Sequence, residues 1–441
     1  MRKSGLRRWK KLIVLGIAGA CGISLARADE EQRSTPTISG RIFTDFYVPS
    51  GSPLGSPLQQ VSGSIWLESD PRLSEDSRAH FTLTGDHFQA STPGNSGLRW
   101  SLREAFVDYN HSGWSFRAGR MIIPWGKSDA INPTDFLTAK DSTFFNPDEE
   151  VKRIGALSVS LAWTPSSGNS PWTFHYILTP VFPQSTLLLA PEQIPGSIRL
   201  SSTDALPARN LGNAENAFKV AYSGVGWDAS LSFFHGWNHL PAFQINSAVL
   251  SPAVSLEVSR FFQRYRVLGA DGSTSWGSWI FRWETAYVWT ENNDGQNPLL
   301  QPTHWDTVVG LERPLLSSFR VQMQVLTRYF PRFLSPQLLS SPVDRQVALV
   351  NALIQNYQDP TRVSGTLRLS YSDEGEALGG EIFILGNFIG GGYLLRPQLN
   401  YAWTGDLKVS LGLDFYGGPE DRPLGVLAPY NSIFSEVKYV F

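Results

Sequence analysis

The residues able to do chemistry in this 441-residue chain are scattered, and no spacing assembles them into a catalytic motif. There is no Gly-rich phosphate loop, no Gly-x-Ser-x-Gly and no His-Glu-x-x-His. His235 and His239 lie four residues apart, but in a strand-to-loop context. Residues 290–295 are polar but lack the ligand spacing of a calcium loop. We therefore predict that the chain is not an enzyme and has no cofactor-binding or metal site.

Charged side chains instead alternate with apolar ones, which places them on one face of extended segments. The set consists of Arg282, Glu284, Arg320, Arg328, Arg368 and Arg396. If this face lines an aqueous lumen, its arginines would attract anions by concentrating the field there. The alternative is that they pair with carboxylates such as Glu381 and Asp414 and brace the wall.

The elements that would position these residues are strands. Leu407, Val409, Leu411, Leu413 and Phe415 alternate with polar or small residues, and many other segments repeat this period of two. We count 18 segments between residues 38 and 441, including 256–270 and 275–290 with a turn at 271–274. We find no convincing 3.6-residue periodicity beyond the N-terminus and no 18-residue apolar run for a spanning helix.

An alternating strand fits either a soluble sandwich or a transmembrane barrel, and three features favour the barrel. Connections are alternately short, as at 111–113, and long, as at 122–153 and 330–360. Aromatic residues crowd some strand pairs, as interfacial girdles require. The last strand ends in Phe441 with an aromatic residue two positions before it. The fold class is therefore all-β, a transmembrane antiparallel β-barrel with short periplasmic turns and long external loops. About 18 strands are expected, although the short connection 388–390 leaves 16 open.

Residues 1–28 have the pattern of a cleaved signal peptide, with a basic start, an apolar stretch and Ala26-Arg27-Ala28. The alternatives are a membrane anchor or lipidation at Cys21, the one cysteine of the chain. Without the seven basic residues of this segment the mature chain, 29–441, has 30 basic and 39 acidic residues. That balance gives no reason to expect nucleic-acid binding.

The most informative stretch follows the predicted fifth strand. It runs from Gly119-Arg120 through Trp125-Gly126-Lys127 to Asn132-Pro133-Thr134-Asp135. With the signal peptide and the terminal strand, it resembles Gram-negative porin-like outer-membrane proteins of the phosphate-selective, alginate-export-like and related uncharacterised kinds. The resemblance implies that loop 122–153 folds inward and narrows a pore. The residues it would place there are Arg120, Trp125, Lys127, Asp129 and Asp135. Alternatively the loop is external and solvated, or Trp125 and an Arg120–Asp129 pair only pin it.

The sequence therefore predicts an outer-membrane channel for passive passage of small solutes, selected by the width and charge of the loop. The main alternative is an export conduit for a polysaccharide or apolar compound working with periplasmic partners. A barrel hydrolase and a closed adhesin or anchor are further alternatives. Expected partners are outer-membrane lipid and lipopolysaccharide, and the barrel-assembly machinery acting on the strand ending at Phe441. A homo-oligomer is also possible.

Overall fold

The computed structural model describes residues 38–49, 60–90, 97–128, 131–143, 146, 148–187, 198–201, 203–249, 255–375 and 377–441. The predicted signal peptide, residues 1–28, and Asp129 of the predicted loop lie outside the described residues.

Eighteen antiparallel strands form one closed sheet, which confirms the predicted fold class and the larger strand count. The barrel strands are β1 (Ile38–Pro49), β2 (Gln60–Ser69), β3 (Ser77–Ala90), β4 (Gly97–His111), β5 (Trp114–Met121), β8 (Ala156–Trp163), β9 (Trp172–Thr179), β12 (Glu215–Ser223), β13 (Trp227–Trp237), β16 (Arg264–Trp276), β17 (Trp279–Trp289), β18 (His304–Leu316), β19 (Phe319–Tyr329), β20 (Thr361–Ser372), β21 (Leu378–Asn387), β22 (Tyr393–Ala402), β23 (Leu407–Gly417) and β24 (Ser432–Val440). The connections contain β6 (Ala139–Ser142), β7 (Arg153–Ile154), β10 (Thr186–Leu187), β11 (Ile198–Leu200), β14 (Ala242–Val249), β15 (Ser255–Phe261) and one α-helix, α1 (Pro342–Gln355).

The sheet closes because β1 pairs with β2 on one side and with β24 on the other. Beyond that pairing, the backbone N–H of Phe441 donates to Gly40 O and that of Gly40 to Phe441 O, both at 2.9 Å. Closure leaves no free edge, so every strand can satisfy its backbone within the sheet.

The two faces of each strand differ as the alternation predicts. On β23, Leu411 is 53% exposed on the outside of the barrel, whereas Asp414 is 1% exposed on the inside. The same contrast holds on β13 between exposed Leu231 and buried Ser232. The barrel therefore has an apolar outer surface and a polar lumen.

The short turns lie at the barrel end where Phe441 meets Gly40, and the long connections lie at the other end. Ser112 and Gly113 join β4 to β5 with φ of 48° and 82°, the positive values of a tight hairpin turn. The β21–β22 connection, which left the count of 16 open, is simply a short loop among the long ones.

One predicted strand and its turn are wrong. The segment 256–270 divides into two parts. The first is β15, which pairs with β14 in a small sheet separate from the barrel sheet, and the second is the start of β16. The expected turn at 271–274 is instead the end of β16, where Asp271 is completely buried. The true turn lies between Trp276 and Trp279, with Gly277 at φ 58°. An Asp-Gly pair is typical of a turn, but the Asp271 carboxylate lies on the lumen wall within β16.

The expectation of no helical segment after the N-terminus is also wrong, because α1 lies in the loop between β19 and β20. Ser341 caps its first turn by accepting from Asp344 N at 3.3 Å, and Asn356 ends it in the left-handed conformation. Val343, Val347, Val350 and Ile354 recur at helical spacing and pack on β14 and β15. Because other apolar residues, such as Leu349 and Leu353, lie between these four in a short segment, the helical spacing was a weak signal.

No helix among the described residues has the length and apolar character needed to span a membrane.

Candidate functional site in the barrel lumen

The connection between β5 and β8, residues 122–153, is called the lumen loop, and its described residues lie inside the barrel. Trp125 and Leu137 are buried against inward-facing wall residues, among them Ile177, Phe234 and Val288. The described contacts of this cluster are apolar, so one part of the lumen is filled by a packed core. The predicted inward folding of the loop is thus present in the structure.

The tip of the lumen loop is held by Glu284, which is fully buried on β17. Its Oε1 accepts from the backbone N–H groups of Lys127 and Ser128, and its Oε2 accepts from the Thr134 hydroxyl at 3.0 Å. A carboxylate that takes three donors is well satisfied despite its burial. Glu284 therefore anchors the loop to β17, a wall strand separated from β8 by β9, β12, β13 and β16.

Lys127 extends this anchor to two neighbouring strands. Its ammonium group pairs with Asp228 on β13 and lies 3.5 Å from Asp271 on β16. Lys219 approaches Asp271 at 3.4 Å and lies over the Trp125 ring. Burial lowers the pKa of Lys127, although Asp271 acts in the opposite direction. Lys127 is therefore a paired wall contact rather than a free constriction charge.

The loop backbone is shaped by the Asn-Pro-Thr-Asp segment. Asn132 donates to Trp125 O and accepts from Thr134 N at 3.0 Å. Gly126 has φ 92°, and a side chain there would collide with Asn132. Asp135 accepts from Thr138 at 2.8 Å and from Trp125 N at 3.4 Å, while burial raises its pKa. Asp135 thus supports the loop from within.

The returning arm of the loop contacts the opposite wall. Asn146 donates to Asp45 on β1 at 2.9 Å, and Glu150 pairs with Arg41 at 3.4 Å. Asp141 pairs with Arg99 on β4 at 3.1 Å. Burial acts to raise the pKa of Asp141, but hydrogen bonds from Thr143 and Thr186, together with Arg99, lower it overall. The loop therefore crosses the lumen from β17 to β1.

A cavity of about 240 Å³ lies between the returning arm and strands β2–β5. Its lining includes five cationic residues, Arg99, Arg103, Arg120, Lys152 and Arg153, and two carboxylates, Asp86 and Asp141. Arg103 donates to the loop carbonyls of Glu150, Val151 and Arg153, so it also fixes the arm. Predicted Arg120 lies here, away from Glu284.

The other predicted arginines pair with carboxylates on neighbouring strands. Arg282 and Arg320 both contact Glu312, at 2.5 and 3.5 Å. Arg368 pairs with Glu381 at 2.9 Å, and Arg396 pairs with Asp414 at 2.5 and 2.9 Å. These contacts are those of the wall-bracing alternative, since each arginine has a carboxylate partner on an adjacent strand. These arginines are not a free basic set.

Arg328 lies near the external loops rather than at the lumen loop. It forms two hydrogen bonds with Asp306, at 2.7 and 2.6 Å, and donates to Gln355 O at the end of α1, 3.2 Å away. A cation at this end of a helix is favourable. Its position identifies it as a support for the helix.

Sequence reasoning missed several residues that fix the loop. These are Asp45, Arg99, Arg103, Asn146, Lys219, Asp228 and Asp271. Inward parity could have placed the wall residues of this set on the lumen face, whereas Asn146 belongs to the loop itself. Only the fold shows which of the wall residues meet the loop.

Comparisons with known proteins identify the fold and nothing narrower. No family model matches the chain, and no curated protein matches it. Among solved structures, OccK5 (OpdH) of Pseudomonas aeruginosa is 9% identical with a TM-score of 0.51, and the alignment covers 92% of this chain and 98% of that one. OccK10 (OpdN) of the same organism is 10% identical with a TM-score of 0.52, covering 92% and 99%. The chain has an outer-membrane porin fold. At this identity the likeness concerns architecture, and residue roles in this porin-fold barrel rest on its own contacts.

Proposed function

We propose that the chain forms a passive outer-membrane channel for small solutes, and that the lumen loop selects what passes. The observation that carries the proposal is the loop crossing the lumen between Glu284 and Asp45. An 18-stranded barrel is too wide for wall side chains alone to fill. A loop fixed at both walls sets a narrower passage beside it.

The wall charges favour this function over an export conduit for a polymer. An export conduit that guides a polymer requires a continuous row of aromatic or same-sign side chains along the lumen wall. On β20 and β22 the inward Arg368 and Arg396 are paired with carboxylates of neighbouring strands, Glu381 and Asp414. Paired charges leave a polar wall of nearly balanced sign, which suits small solutes.

The cationic cavity would supply the charge selection. Arg99 is paired with Asp141, whereas Arg120 and Arg153 have no ion pair among the described residues that line the cavity. Two guanidinium groups in a narrow, partly desolvated space attract anions more strongly than they would in bulk water. We propose that the channel prefers anions for this reason.

The test is single-channel recording on the purified protein in planar bilayers under a salt gradient. Stepwise conductance with a reversal potential shifted towards the equilibrium potential of the anion supports the proposal. An insertion-competent protein without conductance steps would contradict the channel. Conductance steps with a reversal potential shifted towards the equilibrium potential of the cation would support a channel but contradict the proposed anion preference.

The Arg120→Gln, Arg153→Gln double variant tests the source of the preference. We expect the anion-to-cation permeability ratio to fall while the conductance steps persist, because the wall and the loop anchor are intact. Arg72→Gln is the matched control, since Arg72 lies in the β2–β3 turn and binds only nearby carbonyls. If both variants shift the reversal potential equally, the cavity is not the selective element.

A further inference from the structure

Two arginines interrupt the apolar outer surface of the barrel. On β16, Tyr265 and Val267 point inward and are 6% and 1% exposed, so Arg264 and Arg266 point outward. Farther down the same face the strand presents Leu268, which is 44% exposed. A charge on the membrane-facing surface is unfavourable unless it lies at the interface with a polar partner.

The contacts of these arginines are neutral. Arg264 donates to Asn213 Oδ1 at 2.8 Å, lies 3.2 Å from His235 Nε2 and stacks on Trp237 at 4.1 Å. Arg266 is exposed and lies in register between His235 and Trp289. Within the part of the chain that the structure describes, neither guanidinium forms an ion pair with a carboxylate. Two adjacent positive charges therefore face the membrane, and no described carboxylate neutralises them.

Their depth corresponds to the headgroup region on the side of the long loops. Trp276 ends the same strand at the turn side, ten residues from Arg266. At about 3.3 Å per residue and a tilt of about 40°, the two are separated by about 25 Å along the barrel axis, the height of the apolar band. Tyr287, Trp289 and Trp305 form an aromatic cluster at this upper level.

We propose that Arg264 and Arg266 bind the phosphates of an acylated glycolipid that carries more than one phosphate in the external leaflet. Guanidinium groups bind phosphate with paired, charge-assisted hydrogen bonds. The amide of Asn213 and the ring of Trp237 would face the sugar and the acyl region. The proposal rests on the outer-membrane placement proposed above and does not depend on conduction.

Native mass spectrometry of the detergent-solubilised, full-length barrel tests this site. The probes are diphosphoryl lipid A, dephosphorylated lipid A and phosphatidylglycerol. We expect the diphosphoryl form to bind best, and Arg264→Gln and Arg266→Gln to weaken it by about tenfold each, the factor for one charge-assisted hydrogen bond. Heat-dependent gel migration verifies that each variant is folded.

Arg313→Gln is the matched control. Arg313 also points outward and lies over Trp279, but at the turn end of the barrel. Its replacement should leave lipid binding unchanged. Equal binding of dephosphorylated lipid, equal affinity for phosphatidylglycerol, or an equal loss in Arg313→Gln would each overturn the site. Conductance recorded on the same variants keeps the two proposals separate, because Arg264→Gln and Arg266→Gln lie outside the lumen and should conduct normally.

Discussion

Glu284 holds the tip of the lumen loop against the barrel wall. It is buried on the wall and accepts from two backbone N–H groups and one hydroxyl of the lumen loop. A buried carboxylate is stable only when its oxygens are satisfied. Its partners come from residues 150 to 157 positions earlier in the chain, so the pairing determines where the loop tip lies.

Glu284→Gln should free the loop tip, because an amide presents only one acceptor oxygen and brings its own donors. Loss of these contacts would cost about 3 kcal/mol, about a hundredfold shift from docked to undocked loop. We expect larger and noisier conductance steps in planar bilayers.

The control is Glu374→Gln, which makes the same change at an exposed position in the β20–β21 turn. Unaltered step size and noise in Glu284→Gln would show that Glu284 does not hold the loop.

At the scale of elements, α1 joins the β14–β15 hairpin to the connection between β19 and β20. Val347 is 1% exposed and packs against Phe243, Leu256 and Val258 of the β14–β15 hairpin. Asn351 joins the same hairpin by accepting from Phe243 N at 2.7 Å and donating to its carbonyl at 2.9 Å. The helix is thus held by tertiary contacts, as short helices generally are.

Val347→Asp should detach α1 while leaving the barrel closed, because it places an unpaired charge in a small apolar core. We expect limited proteolysis to cut within residues 330–360 at lower protease concentration, with normal heat-dependent gel migration. Leu338→Asp, at a position 75% exposed, should change neither property. Equal protease resistance of wild type and Val347→Asp would contradict the proposed role of this contact.

At the scale of the whole molecule, closure depends on the meeting of the first and last strands. Phe441 joins Gly40 through two backbone hydrogen bonds, and its ring lies beside Gly40 and Tyr439. We propose that this terminal strand is also the segment recognised by the barrel-assembly machinery.

Phe441→Ala should reduce the amount of folded barrel recovered in outer membranes, because the last strand would lose its aromatic terminus. Val437→Ala, a truncation on the same strand, is the control. Quantifying the heat-modifiable band in membrane fractions measures the effect. Equal recovery of the two variants would exclude a particular role for Phe441.

The barrel could be predicted from the amino-acid sequence, because alternation with period two assigns every residue of a strand to membrane or lumen. The same parity placed Arg282, Glu284, Arg368 and Arg396 on the inner face. It also located the long connection 122–153 that enters the lumen. These are local properties, which neighbouring residues in the chain suffice to specify.

Which inward charges contact one another could not be predicted and follows from the folded barrel. Glu284 binds the lumen loop, Arg396 binds Asp414, and Arg328 supports α1, although parity treats all three alike. The break between β15 and β16 within 256–270 could not be predicted either, because both halves alternate. At the break, Gln263 forms hydrogen bonds with Gln301, which is distant in the sequence. Closure of the sheet brings together residues that are distant in the sequence, and a local pattern does not show which of them will be in contact.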